Sequence, residues 1–494
     1  MRFRNIFRLA MCVLALMTTR VPAQAQPKKV MVHYMPWFQA PNISGAWGFH
    51  WTYNTYFNPN IITNGQRQIA SWYYPLIGPY DSLDPVVLEY HVLLMKLGGI
   101  DGVIVDWYGP DNYYDYGINN ARTLAIFGYA QKAGLKAALC YEDATIAAEI
   151  QGGTNNGIIV TSNTAVAHAQ QTMLYVQTNY FADPNYFRLN GAPVFLNFGP
   201  QYFKQSSNWV SIFSVLNASN QPSFFTEDNR LAAGAGAFDW PPMGMSQPSG
   251  GSNVLSDATL QSYLQSFQQK AAAWPAFISS AFPRFHDIYA QAGGTSYGYL
   301  SDNNGVTFQE TLTRALTNAS TAIQLVTWND FGEGTIIEPT VQYGYRDLGV
   351  VQDFRRQYLD PSFPWHTNDL NLALRVYNLR RQYGTTKPAV SAELDRVFTN
   401  IVSSNLTLAA LQLTSLETSV PVIYNLSLSG GQLQFAVGGY TSASGIQIQS
   451  SSNLVPGGWQ TISTMPVGTN QITFSTNILP QDAPTFFRIQ NSGP

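Results

Sequence analysis

"DPVVLEYHVLLMKLGGIDGVIVDWYG", residues 84–109, decides the fold. Asp84 reads as a helix cap, Pro85 as a first helical residue, and Gly98-Gly99 as a stop after an apolar run. Within a few residues the chain resumes as Gly102–Val105, apolar without alternation, and ends in Asp106-Trp107-Tyr108. An unbroken apolar strand is buried on both faces, as in a parallel sheet covered by helices.

Seven further runs share this character: 30–37, 136–143, 192–200, 222–228, 236–242, 276–287 and 322–330. Helix-length segments at 119–133, 163–181, 205–216, 256–273 and 306–318 separate most of them, and 367–384 and 391–403 read as outer helices. Eight strands alternating with helices predict an α/β fold, a (β/α)8 barrel over 26–388, with a doubly wound open sheet as the alternative. The barrel is favoured because every run ends in polar or aromatic residues, which a barrel brings to one mouth.

The chain of 494 residues is 45% hydrophobic and 14% aromatic, with only 11% charged residues, so it can bury a large core. Residues 1–25 read as a secretory signal peptide: Arg2, Arg4 and Arg8, the apolar stretch Leu9–Met17, then Ala23-Gln24-Ala25. Export to the periplasm or the extracellular space is expected. Without those residues 22 basic side chains face 29 acidic ones, which argues against a nucleic-acid partner. No later segment is apolar enough to predict a membrane span. Cys140 is then the remaining cysteine; its surroundings "AALCYED" read as a buried strand and an inert thiol.

After a helical extension and linker over 389–420, the composition turns to Ser, Gly, Gln and Thr with alternating apolar residues. Residues 421–494 are expected to form a small all-β sandwich. The segment is similar to modules appended to secreted proteins of some bacteria. A solubilising stalk is one role for it, and cell-surface or polysaccharide contact the other.

Nucleotide fingerprints, phosphate loops, HExxH and calcium loops are all missing from the sequence, which leaves carboxylates as the chemical groups. "TWNDFGEG", 327–334, places Asp330 and Glu333 where the eighth strand runs out into the mouth. Glycosidic hydrolysis needs two carboxyl groups, one protonated and one ionised, and close spacing helps to keep one protonated. A capping Asp330 and a solvated Glu333 are the bland alternative. At the other strand ends Asp106, Trp107, Tyr108, Glu142, Asp143 and Asn197 are sugar contacts or turn caps. Trp240 and Trp328 are stacking rings or core, and Arg284, His286, His33 and Tyr34 are sugar contacts or structural groups. His50 could line a groove, whereas His91 and His168 read as structural.

"WNDFGEGTIIEP", 328–339, resembles the Trp-Asn-Glu-Trp-His-Glu-Gly-Thr-x-Ile-Glu-Pro signature of glycoside hydrolase family 99, endo-acting α-mannosidases and α-mannanases related to the α-1,3-glucanases of family 71. "GPYDS" (78–82) and "FPRFHD" (282–287) are similar to further segments of that family. The resemblance covers roughly 28–385 and implies a (β/α)8 hydrolase without metal or cofactor. It implies Glu333 as general acid and base, Asp330 as the assisting base, and Tyr80, Asp81 and Asn329 as substrate contacts. Two departures stand out. The first carboxylate is Asp instead of Glu, and Phe331-Gly332 replaces Trp-His. The function expected is endo-hydrolysis of an α-linked, mannan-like or glucan-like carbohydrate. A non-catalytic polysaccharide-binding or scaffold barrel, or a lyase or transglycosylase in the same cleft, are the alternatives.

Overall fold

The computed structural model describes residues 28–153, 159–250, 252–384, 387–418, 422–438, 446–452, 454–465, 471–477 and 485–491. The leader-like segment 1–25 and the composition break near residue 420 lie outside them.

Eight strands form the barrel: β1 (Lys29–Tyr34), β2 (Gly102–Trp107), β3 (Lys136–Tyr141), β4 (Ala192–Asn197), β5 (Ser223–Glu227), β6 (Gly236–Phe238), β7 (Ile278–Ala281) and β8 (Ala322–Leu325). All neighbours are parallel, and the pairing of β3 with β4 at Cys140 and Leu196 completes the closed ring. β2 is buried along its whole length, as its unbroken apolarity requires.

The outer layer includes α1 (Pro85–Leu97), α2 (Tyr116–Lys132), α3 (Ala144–Gly152), α4 (Ala165–Asn179), α5 (Ser206–Phe213), α6 (Asp257–Ala271), α7 (Val306–Thr317) and α8 (Arg346–Tyr358). Asp84 caps α1 by accepting the Val86 N–H at 3.0 Å. Gly99, just beyond, has φ +79°, and a Cβ there would lie 2.8 Å from the Arg355 side chain and 3.0 Å from Phe363, so only glycine fits. Helices α9 (Asn371–Tyr383), α10 (Pro388–Val402) and α11 (Leu406–Thr418) follow, and Val376, Leu394 and Leu413 join the same apolar core as the barrel. α3 and α8 were not expected from the sequence, and α11 lies within the segment 389–420 read as a helical extension and linker.

Strand geometry decides which residues see the barrel interior. Successive side chains point to opposite faces, so His33 and Asp106 face inward while Tyr34 and Trp107 face the helices. Helices after the strands then cover the outward rings.

The C-terminal strands β9 (Val422–Ser429), β10 (Gln432–Gly438) and β13 (Gln471–Asn477) form one antiparallel sheet. β11 (Ile446–Ser451), β12 (Gln460–Met465) and β14 (Phe486–Asn491) form the other. Phe435 and Val437 of the first sheet share an apolar cluster with Ile446, Ile448 and Phe487 of the second, which makes the pair a small sandwich with its own core. Among the described residues no helix is long and apolar enough to cross a membrane.

Candidate active site

Beyond β8 the chain folds back on itself. The Thr327 N–H donates to Thr335 O at 2.8 Å, and the Ile337 and Glu338 N–H groups donate to Thr327 O and Trp328 O, each at 2.9 Å. Asn329 fastens this loop to the end of β1: its Oδ1 accepts the Met35 N–H at 2.8 Å, and its Nδ2 donates to Met35 O at 2.9 Å and to the Tyr80 hydroxyl at 3.1 Å. From the loop after β7, the His286 N–H reaches Glu333 O at 2.8 Å and the Ile288 N–H reaches Gly332 O at 3.0 Å. Gly334 (φ +70°) lets the two loops meet, since a Cβ there would lie 2.8 Å from His286 O.

The loop presents both carboxylates in unlike settings. Asp330 is buried and its Oδ1 accepts the Glu333 N–H at 3.0 Å. Glu333 is partly open to solvent, and its Oε1 accepts the Tyr289 hydroxyl at 2.8 Å. Burial pushes Asp330 up to about 6, held back by backbone N–H groups that favour its ionised form. Burial and then the charge of Asp330 push Glu333 well above the usual carboxylate range, with the Tyr289 hydrogen bond opposing. Burial thus favours the protonated form of both carboxyls, and the backbone N–H groups at Asp330 make that one the easier of the two to ionise.

The remaining wall is acidic and aromatic. Asp106, at the end of β2, is raised to about 8 by burial and by Asp330. Burial, followed by Asp106, Glu227, Asp143 and Glu333, raises Glu142; its Oε2 accepts from the Gln201 side chain at 3.3 Å. Burial and then Asp228 hold Glu227 at about 7. His33 is kept neutral by burial, with its pKa lowered to about 3; its Nε2 lies 4.0 Å from Asp106 Oδ1, and its ring meets Trp240 edge-on at 4.9 Å. His33 Nδ1 and Asp106 Oδ1 are buried without a protein hydrogen-bond partner. Tyr108 lies 6.2 Å from Trp37, which stacks on His50 at 4.2 Å.

Several residues expected to touch substrate are turned away from it. Tyr34 and Trp107 point outward, the Tyr34 hydroxyl 3.2 Å from His91 Nδ1 and the Trp107 ring N–H on Asn120 Oδ1 at 3.0 Å. Trp328 is buried edge-on to His91 at 5.5 Å. Tyr80 donates to Glu338 Oε2 at 2.7 Å, and with Asn329 it braces the loop from behind. Asp81 is fully buried, accepting from the Ala40 and Leu83 N–H groups, each at 2.9 Å, and from Ser44 Oγ at 2.6 Å. Asp143 is the turn cap of the bland reading: it accepts the N–H groups of Gln201, Tyr202 and Phe203 at 2.8, 2.9 and 2.7 Å. Asn197 donates to Tyr141 O at 2.8 Å beside it. Arg284 is buried, paired with Asp347 and lying 3.9 Å over the Tyr343 ring, which is the structural ion pair. His286 stacks on Trp72 at 4.4 Å and lines a cavity of about 680 Å³ with Asp287 and Tyr299. Cys140 is buried in β3 with its thiol pushed up by burial, as an inert cysteine should be.

No protein-family profile matches the chain. Over 93 residues it is 33% identical to the glycoprotein endo-alpha-1,2-mannosidase of Mus musculus, a match covering 17% of this chain and 20% of that one. Over 119 residues it is 28% identical to the glycoprotein endo-alpha-1,2-mannosidase-like protein of Danio rerio, covering 22% and 27%. The likeness is to endo-alpha-mannosidases. The matched segments span about a fifth to a quarter of the length of these curated relatives. Among solved structures, the GH99 endo-alpha-mannosidase from Bacteroides thetaiotaomicron is 21% identical with a TM-score of 0.49, over 68% of this chain and 98% of that one. The curated sequence matches are to endo-alpha-mannosidases, the activity that the resemblance of 328–339 leads one to expect.

Beside the 327–338 loop sit residues without a role in the sequence reading. Tyr289 contacts Glu333 directly. Tyr53 lies 5.8 Å from the Tyr289 ring, and the Asp330 charge helps burial to raise its hydroxyl pKa. Glu227 ends β5, within the run 222–228, and has no role in the sequence reading. Tyr289 follows "FPRFHD" by two residues, so extending that segment would have found it; Tyr53 carries no sequence signal at all.

Proposed function

We propose that this chain is an exported glycoside hydrolase that cleaves within an α-linked polysaccharide or oligosaccharide, mannan-like or glucan-like. The observation that carries the reading is the placing of two carboxyls in unlike settings on one braced loop: Asp330 accepts a backbone N–H, and Glu333 is raised by burial and by the Asp330 charge. The local identity to endo-alpha-mannosidases supports the α-linkage and the endo mode. The leader-like residues 1–25 support export.

In this reading Tyr289 occupies Glu333 Oε1, and the other oxygen carries the proton that Glu333 gives to the departing glycosidic oxygen. Asp330 takes a proton from the oxygen that attacks the sugar carbon and releases it within the same cycle, back to that oxygen or through solvent to Glu333. Water supplies the hydroxyl that ends on the sugar and the proton that restores Glu333, so one water is consumed for each bond broken. His33 Nδ1 and Asp106 Oδ1, buried and unpartnered, offer an acceptor and donor pair for sugar hydroxyls. Trp240 and Trp37 supply apolar faces beside them.

The test is incubation with a panel of α-mannans, α-glucans and acidic or sulfated glycans, followed by reducing-end counts and product analysis. Internal cleavage with rising reducing ends is expected on an α-linked substrate. Saturable binding with flat counts would replace this reading by a carbohydrate-binding barrel, and unsaturated or lengthened products by a lyase or transglycosylase.

A further inference from the structure

His168 read from sequence as a structural helix residue. In the structure it lies in α4 beside Glu149 of α3 and Asp111 of the loop after β2, on the mouth side of the barrel. Its Nε2 is 2.7 Å from Asp111 Oδ2 and 3.2 Å from Glu149 Oε2. One ring nitrogen carries one hydrogen, and that hydrogen can serve only one of the two carboxylates. The shorter contact goes to Asp111. Glu149, only 3% exposed, is left with Oε2 buried and without a hydrogen-bond partner. The charge of a protonated His168 offsets part of the cost of burying Glu149 at 3.2 Å, but the one Nε2 hydrogen directed at Asp111 leaves Glu149 Oε2 without a hydrogen bond of its own.

We propose that Asp111, Glu149 and His168 form a structural site for a borderline divalent transition-metal cation, of which zinc is the type. The donor set of one imidazole nitrogen and two carboxylate oxygens suits such an ion. The ligand atoms of the three side chains already lie within 4.8 Å of one another. Zinc bound tetrahedrally at about 2.0 Å needs ligand separations of roughly 3.3 Å, so only small side-chain movements are required. His168 and Asp111 keep about a fifth to a quarter of their side chains exposed, at 21% and 24%, which provides an entry path. Three protein ligands leave a further coordination position for water. The bound cation ties the loop after β2, which carries Tyr108 and Tyr113 at the mouth, to α3 and α4. Its role is to fix that wall, and no step of sugar hydrolysis passes through it.

The test uses the full chain, stripped with a chelator and titrated with Zn²⁺ by calorimetry in two buffers of different protonation enthalpy, with thermal melting in parallel. Binding of one equivalent is expected, with proton release and a raised melting temperature. Asp111→Asn, isosteric and partly exposed, and His168→Asn should each weaken binding tenfold or more. Glu149→Gln should do the same wherever the variant folds. The described residues contain a second His/Asp/Cys group, His33, Asp106 and Cys140, so Cys140→Ser serves as the control and should bind normally. Failure of the wild type to bind saturably overturns the proposal and leaves a charged triad only. Binding that survives Asp111→Asn and His168→Asn, or that is lost in Cys140→Ser, overturns it as well.

Discussion

The Tyr289 hydroxyl donates to Glu333 Oε1 across 2.8 Å, joining the loop after β7 to the loop after β8. That contact stabilises the ionised form of Glu333 against burial and against the Asp330 charge. Tyr289→Phe removes the donor and preserves the ring. Turnover is expected to fall roughly 10- to 100-fold, and the basic limb of the pH profile to move upward, because Glu333 then gives up its proton less readily. An unchanged profile would mean that the hydroxyl only fills space.

Glu333→Gln keeps the shape of the proposed acid and removes its proton, so turnover should drop by about 10²-fold or more while substrate binding survives. Asp330→Asn should also be crippling, and the double variant less than additive, since the two act as a unit. Single-turnover rates with the identified substrate check this. A Glu333→Gln enzyme within a few-fold of wild type would move the chemistry elsewhere.

The acid limb of activity should follow Asp330, which must be ionised to act as a base and sits at about 6. Turnover is expected to fall about tenfold for each pH unit below that value. Measurement of kcat from pH 4 to 8 decides it, and a flat profile from 4 to 6 contradicts the assignment.

Stability should run the other way. Burial is the leading cause that raises Asp106 to about 8, Glu227 and Asp239 to about 7, and Asp330 to about 6. The folded chain keeps protons that the unfolded chain releases above about pH 4, so stability is present at pH 4 and is lost as pH rises towards 8. Asp106→Asn should therefore raise the melting temperature at pH 8 and change it little at pH 5. An equal shift at both would show that Asp106 is not titrating in this window.

Asp143→Asn should act on the fold. Asp143 accepts three backbone N–H groups from residues 201–203, and the amide replaces an acceptor with a donor facing them. A loss of about 1–3 kcal/mol is expected, seen in chemical denaturation, with KM little changed in the folded fraction. A raised KM at full stability would restore the sugar-contact reading.

The barrel was legible because each of its strands is short, apolar and flanked by turn chemistry; seven of the eight expected runs contain their strands, and β1 begins one residue before its run. α8 (Arg346–Tyr358) was missed because its charged, polar face hides a weak apolar stripe in which Leu348 and Val351 are buried. The carboxylate loop was legible from its motif. The partners around it were less so, since an adjacent pair such as His33-Tyr34 or Asp106-Trp107 sends one side chain into the barrel and the other out. Sequence marks the end of a strand but not its parity. Tyr53 and Tyr289 come from irregular loops, where no periodicity exists to point at them.

Closure of the barrel also sets when activity can appear. The loop at 327–338 is held by Met35 and Tyr80 near the start of the chain and by residues 286–288 near the middle, and Asn329 reaches Met35 across 294 residues of sequence. Contacts of such high order form only once the intervening chain has found its place. No fragment lacking β1 or the β7 loop should hold the two carboxylates in register. In a refolding experiment, regain of turnover should therefore trail the regain of helical signal and report the final seam between the first and last strands.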